Sequence, residues 1–118
     1  MLSLPSRVRV YLARGPTDLR KAIDGLAAVT RDAFEQDPLS GHLFVFCNRA
    51  RNRVKIIYFE TSGYWLLLKR LEKGCFAWPS ESDTREMLRL SATELHALLG
   101  GLDFTHGRKR AWYRRKVS

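Results

Sequence analysis

Two short apolar runs, Leu43-Phe44-Val45-Phe46-Cys47 and Val54-Lys55-Ile56-Ile57-Tyr58-Phe59, constrain the fold more than any other feature of the chain. The first has no polar residue at any position, so neither of its faces is suited to water. A run of this length fits a strand in the middle of a sheet that is covered on both sides. The second is nearly as apolar, and the two together read as a hairpin. Between them, Asn48-Arg49-Ala50-Arg51-Asn52-Arg53 combines two turn-forming asparagines with three arginines. So charged a connection is expected to project its tip into solvent.

Upstream, Arg7-Val8-Arg9-Val10-Tyr11-Leu12-Ala13 alternates, with Val8, Val10 and Leu12 on one face and Arg7, Arg9 and Tyr11 on the other. Period-two alternation predicts a half-buried strand. Gly15-Pro16-Thr17-Asp18 then forms a turn, after which Leu19, Ile23, Leu26, Ala27, Thr30 and Phe34 recur at helical spacing. A helix from about Thr17 to Glu35 is expected, with Arg20, Lys21, Asp24, Arg31, Asp32 and Glu35 on its solvated side, ending at Asp37-Pro38-Leu39-Ser40-Gly41.

Downstream, Tyr64, Leu67, Leu68 and Leu71 fit a helix closed by Gly74, while Tyr64-Trp65-Leu66-Leu67-Leu68 also fits a third strand; the helix is favoured. Cys75-Phe76-Ala77-Trp78 reads as a short strand before Pro79, residues 80–86 as a loop, and Met87 to Leu90 as a return to the sheet. Ser91-Ala92-Thr93-Glu94 is a capping box. Leu90 and Leu95 are placed to form the accompanying hydrophobic staple, and the helix runs to Leu99 before Gly100-Gly101.

With 118 residues, 45% of them hydrophobic, the chain has apolar surface for one core and length for one domain. Its 21 lysines and arginines against 12 acidic residues give a formal charge of +9 and point to a polyanionic partner. The cations do not gather on one helical face, as a membrane-surface helix would require. No window is apolar enough to span a bilayer, and no secretory leader is recognised at the N-terminus. Cys47 and Cys75 imply no disulfide framework. A cytoplasmic protein with reduced thiols is expected. Past Asp103 the composition shifts. From Phe104 to Ser118 there is no acidic residue, and Arg108, Lys109, Arg110, Arg114, Arg115 and Lys116 surround Trp112 and Tyr113. Residues 1–103 are therefore expected to form the domain and 104–118 a flexible basic tail.

The hairpin arginines Arg49, Arg51 and Arg53 and the six tail cations are the candidate phosphate ligands, because a guanidinium is a planar fork of donors that matches phosphate oxygens. Trp112 and Tyr113 offer stacking surfaces for bases. The alternative is that both segments are ordinary solubilising surface. Catalysis has weaker support. Asp18, Asp24, Glu60 and Asp103 lie near element ends, yet each also has a structural reading, and a two-metal site needs such groups to converge. His42, His96 and His106 share no ligand spacing with one another or with the cysteines, and no glycine-rich phosphate loop follows a strand. No catalytic residue, metal, cofactor or small-molecule substrate is expected.

Several blocks in order, Gly15-Pro16-Thr17-Asp18-Leu19-Arg20-Lys21, Asp24-Gly25-Leu26, Gly41-His42-Leu43-Phe44-Val45-Phe46, Lys69-Arg70-Leu71-Glu72-Lys73-Gly74 and Phe76 with Trp78-Pro79, resemble the small second-reading-frame protein of the insertion-sequence family sixty-six. The resemblance runs from about Leu4 to Asp103. It implies an accessory protein of a bacterial mobile element, required for transposition beside a separate transposase that carries the catalytic acids. The chain departs from the family's common pattern at Cys47-Asn48-Arg49-Ala50-Arg51-Asn52, and the tail varies in length, so DNA contact by the tail rests on charge alone.

The expected architecture is α+β: a small, mainly antiparallel sheet packed against one long helix, with one or two shorter helices covering the other face. The expected function is non-catalytic support of transposition through DNA phosphates. The competing expectation is an adaptor that docks on the transposase without touching DNA.

Overall fold

A computed structural model describes residues 7–79, 85–100, 102–103 and 108–109 of the chain. Its sheet has five strands: β1 (Val10–Leu12), β2 (Leu43–Cys47), β3 (Arg53–Glu60), β4 (Gly63–Arg70) and β5 (Leu88–Leu90), in the spatial order β4-β3-β2-β1-β5. β1 and β2 run parallel, a pairing that needs a crossover, and the segment between them supplies it with helix α1 (Ile23–Asp32). The other ladders are antiparallel. The fold is α+β as expected, but the sheet is mixed.

The all-apolar run of β2 takes the central position, and all five of its residues are buried. Its alternate side chains serve two different cores. Phe44 and Phe46, with Ile57 of β3, pack beneath Leu26 and Ala27 of α1. Leu43, Val45 and Cys47 face the opposite way, with Val10, Leu12, Val54 and Ile56, and are covered by Phe76, Trp78 and helix α2 (Ala92–Leu99) through Leu95, Leu98 and Leu99. Ser91 accepts from Glu94 N while the Glu94 carboxylate accepts from Ser91 N, which is the reciprocal cap read from the sequence.

Three element expectations are corrected. The first helix is ten residues long and starts at Ile23, because the backbone ahead of it is committed elsewhere. Thr17 N donates to Cys47 O, Arg20 N donates to the Asp18 carboxylate, and the Lys55 ammonium takes the carbonyls of Leu19 and Lys21. At its other end Glu35 sits at φ 56 and Gln36 N reaches back to Thr30 O, a left-handed stop of the kind glycine usually makes.

The segment Gly63–Arg70 is a strand and not a helix. Thr61 and Ser62 turn the chain, and all eight residues then pair with β3 from Glu60↔Gly63 to Arg53↔Arg70. Cys75-Phe76-Ala77-Trp78 lies outside the sheet. Phe76 N donates to Arg51 O and the Trp78 indole to Ala13 O, which seats both aromatic rings in the core.

Beyond α2, Leu102–Asp103 (β6) and Arg108–Lys109 (β7) form a separate two-stranded ladder. The rest of the expected flexible tail lies outside the described residues. No helix among the described residues is long and apolar enough to cross a membrane.

Candidate nucleic-acid interface

The loop after β1 and the turn between β2 and β3 lie side by side because the parallel β1–β2 ladder ends with both chains leaving in the same direction. Ala13 N donates to Val45 O and Thr17 N to Cys47 O, extending the contact two steps past the last strand pair. Between the two loops opens a groove of about 580 Å³. Residues 16–20 form one wall, and Asn48, Arg49, Ala50 and Arg53 form the other. Three arginines thus reach one concave surface from two segments distant in sequence, and Asp18 is the one carboxylate in the lining.

Each wall is built by short-range polar chemistry. Asp18 grips Arg20 twice over. Its carboxylate accepts from the Arg20 backbone N–H at 3.0 Å and from the guanidinium at 2.8 to 3.1 Å. Those bonds from Arg20 hold the Asp18 carboxyl well below the usual carboxylate range, so it stays ionised. The Arg20 side chain remains 91% exposed. Beneath the loop, the Lys55 ammonium ties the carbonyls of Leu19 and Lys21 to β3 at 2.7 and 2.9 Å.

The opposite wall hangs on Asn48. Its side-chain oxygen accepts from Asn52 N and Arg53 N, its amide donates to Asn52 Oδ1 at 2.8 Å, and its backbone N–H donates to Arg53 O. This folds the turn so that Arg49 and Arg53 are exposed while Arg51 is not. Arg51 sits at φ 61, half-buried, and its guanidinium donates to Trp78 O at 3.2 Å. Of the three hairpin arginines singled out from the sequence, the fold brings Arg49 and Arg53 to the groove and turns Arg51 inward to hold the 71–79 segment.

Arg20 was not among the sequence candidates, since helical spacing placed it on the solvated side of a helix that in fact begins later. The Gly-Pro-Thr-Asp turn signal was the available clue, because Asp18 is a residue type that ties up nearby backbone N–H groups. The side chains of Arg108 and Lys109, together with Arg110, Trp112, Tyr113, Arg114, Arg115 and Lys116, lie outside the described residues.

The groups considered for catalysis are dispersed. Asp24 is in the first turn of α1, and Glu60 accepts a hydrogen bond from the Trp65 indole. His42 Nδ1 accepts from Arg9 N at 2.9 Å. The Cys47 thiol is buried, which pushes its pKa up to about 12 and keeps it protonated. Among the described residues, no three His, Cys, Asp or Glu side chains gather where they could hold a metal ion.

Residues 8–109 match the family described as IS66 Orf2 like protein. Two relatives from Sinorhizobium fredii (strain NBRC 101917 / NGR234) are both called uncharacterized proteins. The chain is 36% identical to y4hO over 117 residues, 99% of each chain, and 36% identical to y4jC over 107 residues, 90% of each. No solved structure matches the chain.

Proposed function

Because the chain belongs to the IS66 Orf2 like family, whose role is accessory to transposition, we propose that it binds DNA without catalysing a reaction, holding backbone phosphates in the groove between residues 16–20 and the β2–β3 turn. One observation carries this reading: Arg20, Arg49 and Arg53 converge there. A guanidinium donates in a planar fork and keeps its charge at every physiological pH, so each suits a phosphate oxygen pair. Phosphate contacts carry no direct sequence information, so binding through this groove is largely independent of sequence. The formal charge of +9 draws the polyanion in, and the tail cations Arg108, Lys109, Arg110, Arg114, Arg115 and Lys116 extend the contact, with Trp112 and Tyr113 available to unpaired bases.

The test is a salt series with short duplex DNA. Affinity is expected to fall on a log-log plot with a slope of about −0.9 for each phosphate neutralised. Replacing Arg49 and Arg53 by alanine is expected to flatten the slope by about 0.9 for each phosphate that is then left with its counterions. Arg51→Ala is expected to leave the slope unchanged and to lower stability, since its guanidinium serves Trp78 O. Binding indifferent to salt, or a slope unmoved by the double substitution, defeats the proposal. Retention of the element's purified transposase after nuclease treatment, with no DNA binding, would favour the adaptor reading instead.

A further inference from the structure

The two edges of the sheet are built differently. β5 has three residues, with the exposed Arg89 in the middle, and such short charged edges discourage pairing with another chain. β4 has eight residues, and from Gly63 to Leu68 it carries no charge. Trp65 and Leu68 stand 53% and 59% exposed on it. Among the described residues β4 pairs on one side alone, with β3. We propose that β4 is a self-pairing edge through which two copies of this chain associate, their β4 strands antiparallel and centred on Leu66.

The backbone groups available to a second strand follow from the ladder. Leu71 N donates to Asn52 O at 2.8 Å, one step beyond the Arg53↔Arg70 pair, so the odd-numbered positions bond inward to β3. Backbone bonding alternates along an antiparallel strand, so Tyr64, Leu66, Leu68 and Arg70 turn their N–H and C=O groups outward. An outward row of this length is a template for another strand.

The occupant follows from the side chains. A two-fold axis perpendicular to the sheet keeps every side chain on its own face. When that axis passes through Leu66, Tyr64 lies against Leu68 of the second copy, Trp65 against Leu67, and Leu66 against itself. The five apolar residues Tyr64–Leu68 therefore map onto themselves, and each of the two exposed side chains meets an apolar one. Lys69 and Arg70 fall opposite Gly63 and Ser62, so no two cations face each other despite the basic character of the chain. A partner of other sequence would have to supply this match; a second copy has it already.

Sedimentation equilibrium of the full chain, free of nucleic acid, is expected to show a dimer that dissociates on dilution, and a monomer at every concentration overturns the proposal. Leu68→Lys removes two symmetry-related pairs at once and is expected to weaken the dimer by about tenfold. Leu68 is exposed in one copy, so the circular dichroism of the variant is expected to match that of the parent. An unchanged dissociation constant in that variant would mean the interface lies elsewhere. Leu66→Cys tests the register, since a residue on the axis faces itself at a Cα separation of about 5.5 Å, within reach of a disulfide. Oxidation is expected to cross-link Leu66→Cys above the wild-type background and not to cross-link Leu68→Cys; the reverse result overturns the register.

Discussion

Single side chains do much of the positioning in this fold. One amide, Asn48, closes the β2–β3 turn from the inside, and one ammonium, Lys55, anchors the facing loop. His42 has a comparable task at the other end of β2, where its ring accepts the Arg9 N–H and meets Tyr11 edge-on. Burial first, then the positive charges of Arg9 and Arg89, lower its pKa from the ordinary value of 6.5. The unfolded chain therefore takes up a proton at this residue before the folded chain does. Stability contributed by neutral His42 is complete above pH 6.5 and is lost as the pH falls through that value toward the lower folded one. Urea denaturation across the mildly acidic range is expected to show a steeper loss in the wild type than in His42→Gln. Equal slopes would show that the imidazole is not linked to folding. Neither the Arg9 contact nor the inward turn of Arg51 is legible in the sequence, because each depends on a residue more than twenty positions away.

At the level of elements, the local signals that succeeded are those whose partners are close in sequence. The capping box is complete within four residues, and the structure reproduces it. Ser91→Ala is expected to destabilise the protein by about 1 kcal/mol, measured by urea denaturation, because Glu94 N loses its acceptor. An undiminished midpoint would show that the cap is dispensable to α2. The hairpin of β2 and β3 was equally legible, since a run buried on both faces has few other places to go. Gly63–Arg70 was not. Its exposure shows no clean alternation, being an edge strand with much of both faces in water, so the helical spacing of Tyr64, Leu67, Leu68 and Leu71 outweighed the extended reading. The pairing with β3 settles the matter, and a one-dimensional pattern does not record that pairing. Likewise the first helix was overextended because helical spacing continues through Leu19, where Asp18 and Lys55 hold the backbone outside the helix.

Across the whole molecule, positive charge exceeds negative by nine, and the surface ion pairs among the described residues, Arg20–Asp18, Arg31–Asp32 and Arg70–Glu72, are exposed and individually weak. Mutual repulsion of the excess cations opposes the compact state, and salt screens it over about 10 Å at 0.1 M. The melting temperature is therefore expected to rise as sodium chloride is added from low ionic strength. A melting temperature that drops with salt would show that attractive pairs outweigh the excess charge. The sequence alone was sufficient for the α+β class, the central hairpin and the family, because apolar runs and short motifs are properties of neighbouring residues. Which arginines share a groove, that Arg20 joins Arg49 and Arg53 while Arg51 leaves them, and that β4 stands at an edge, depend on long-range backbone pairing. The parallel β1–β2 ladder sets two loops side by side although some thirty residues separate them, and no local pattern encodes that meeting.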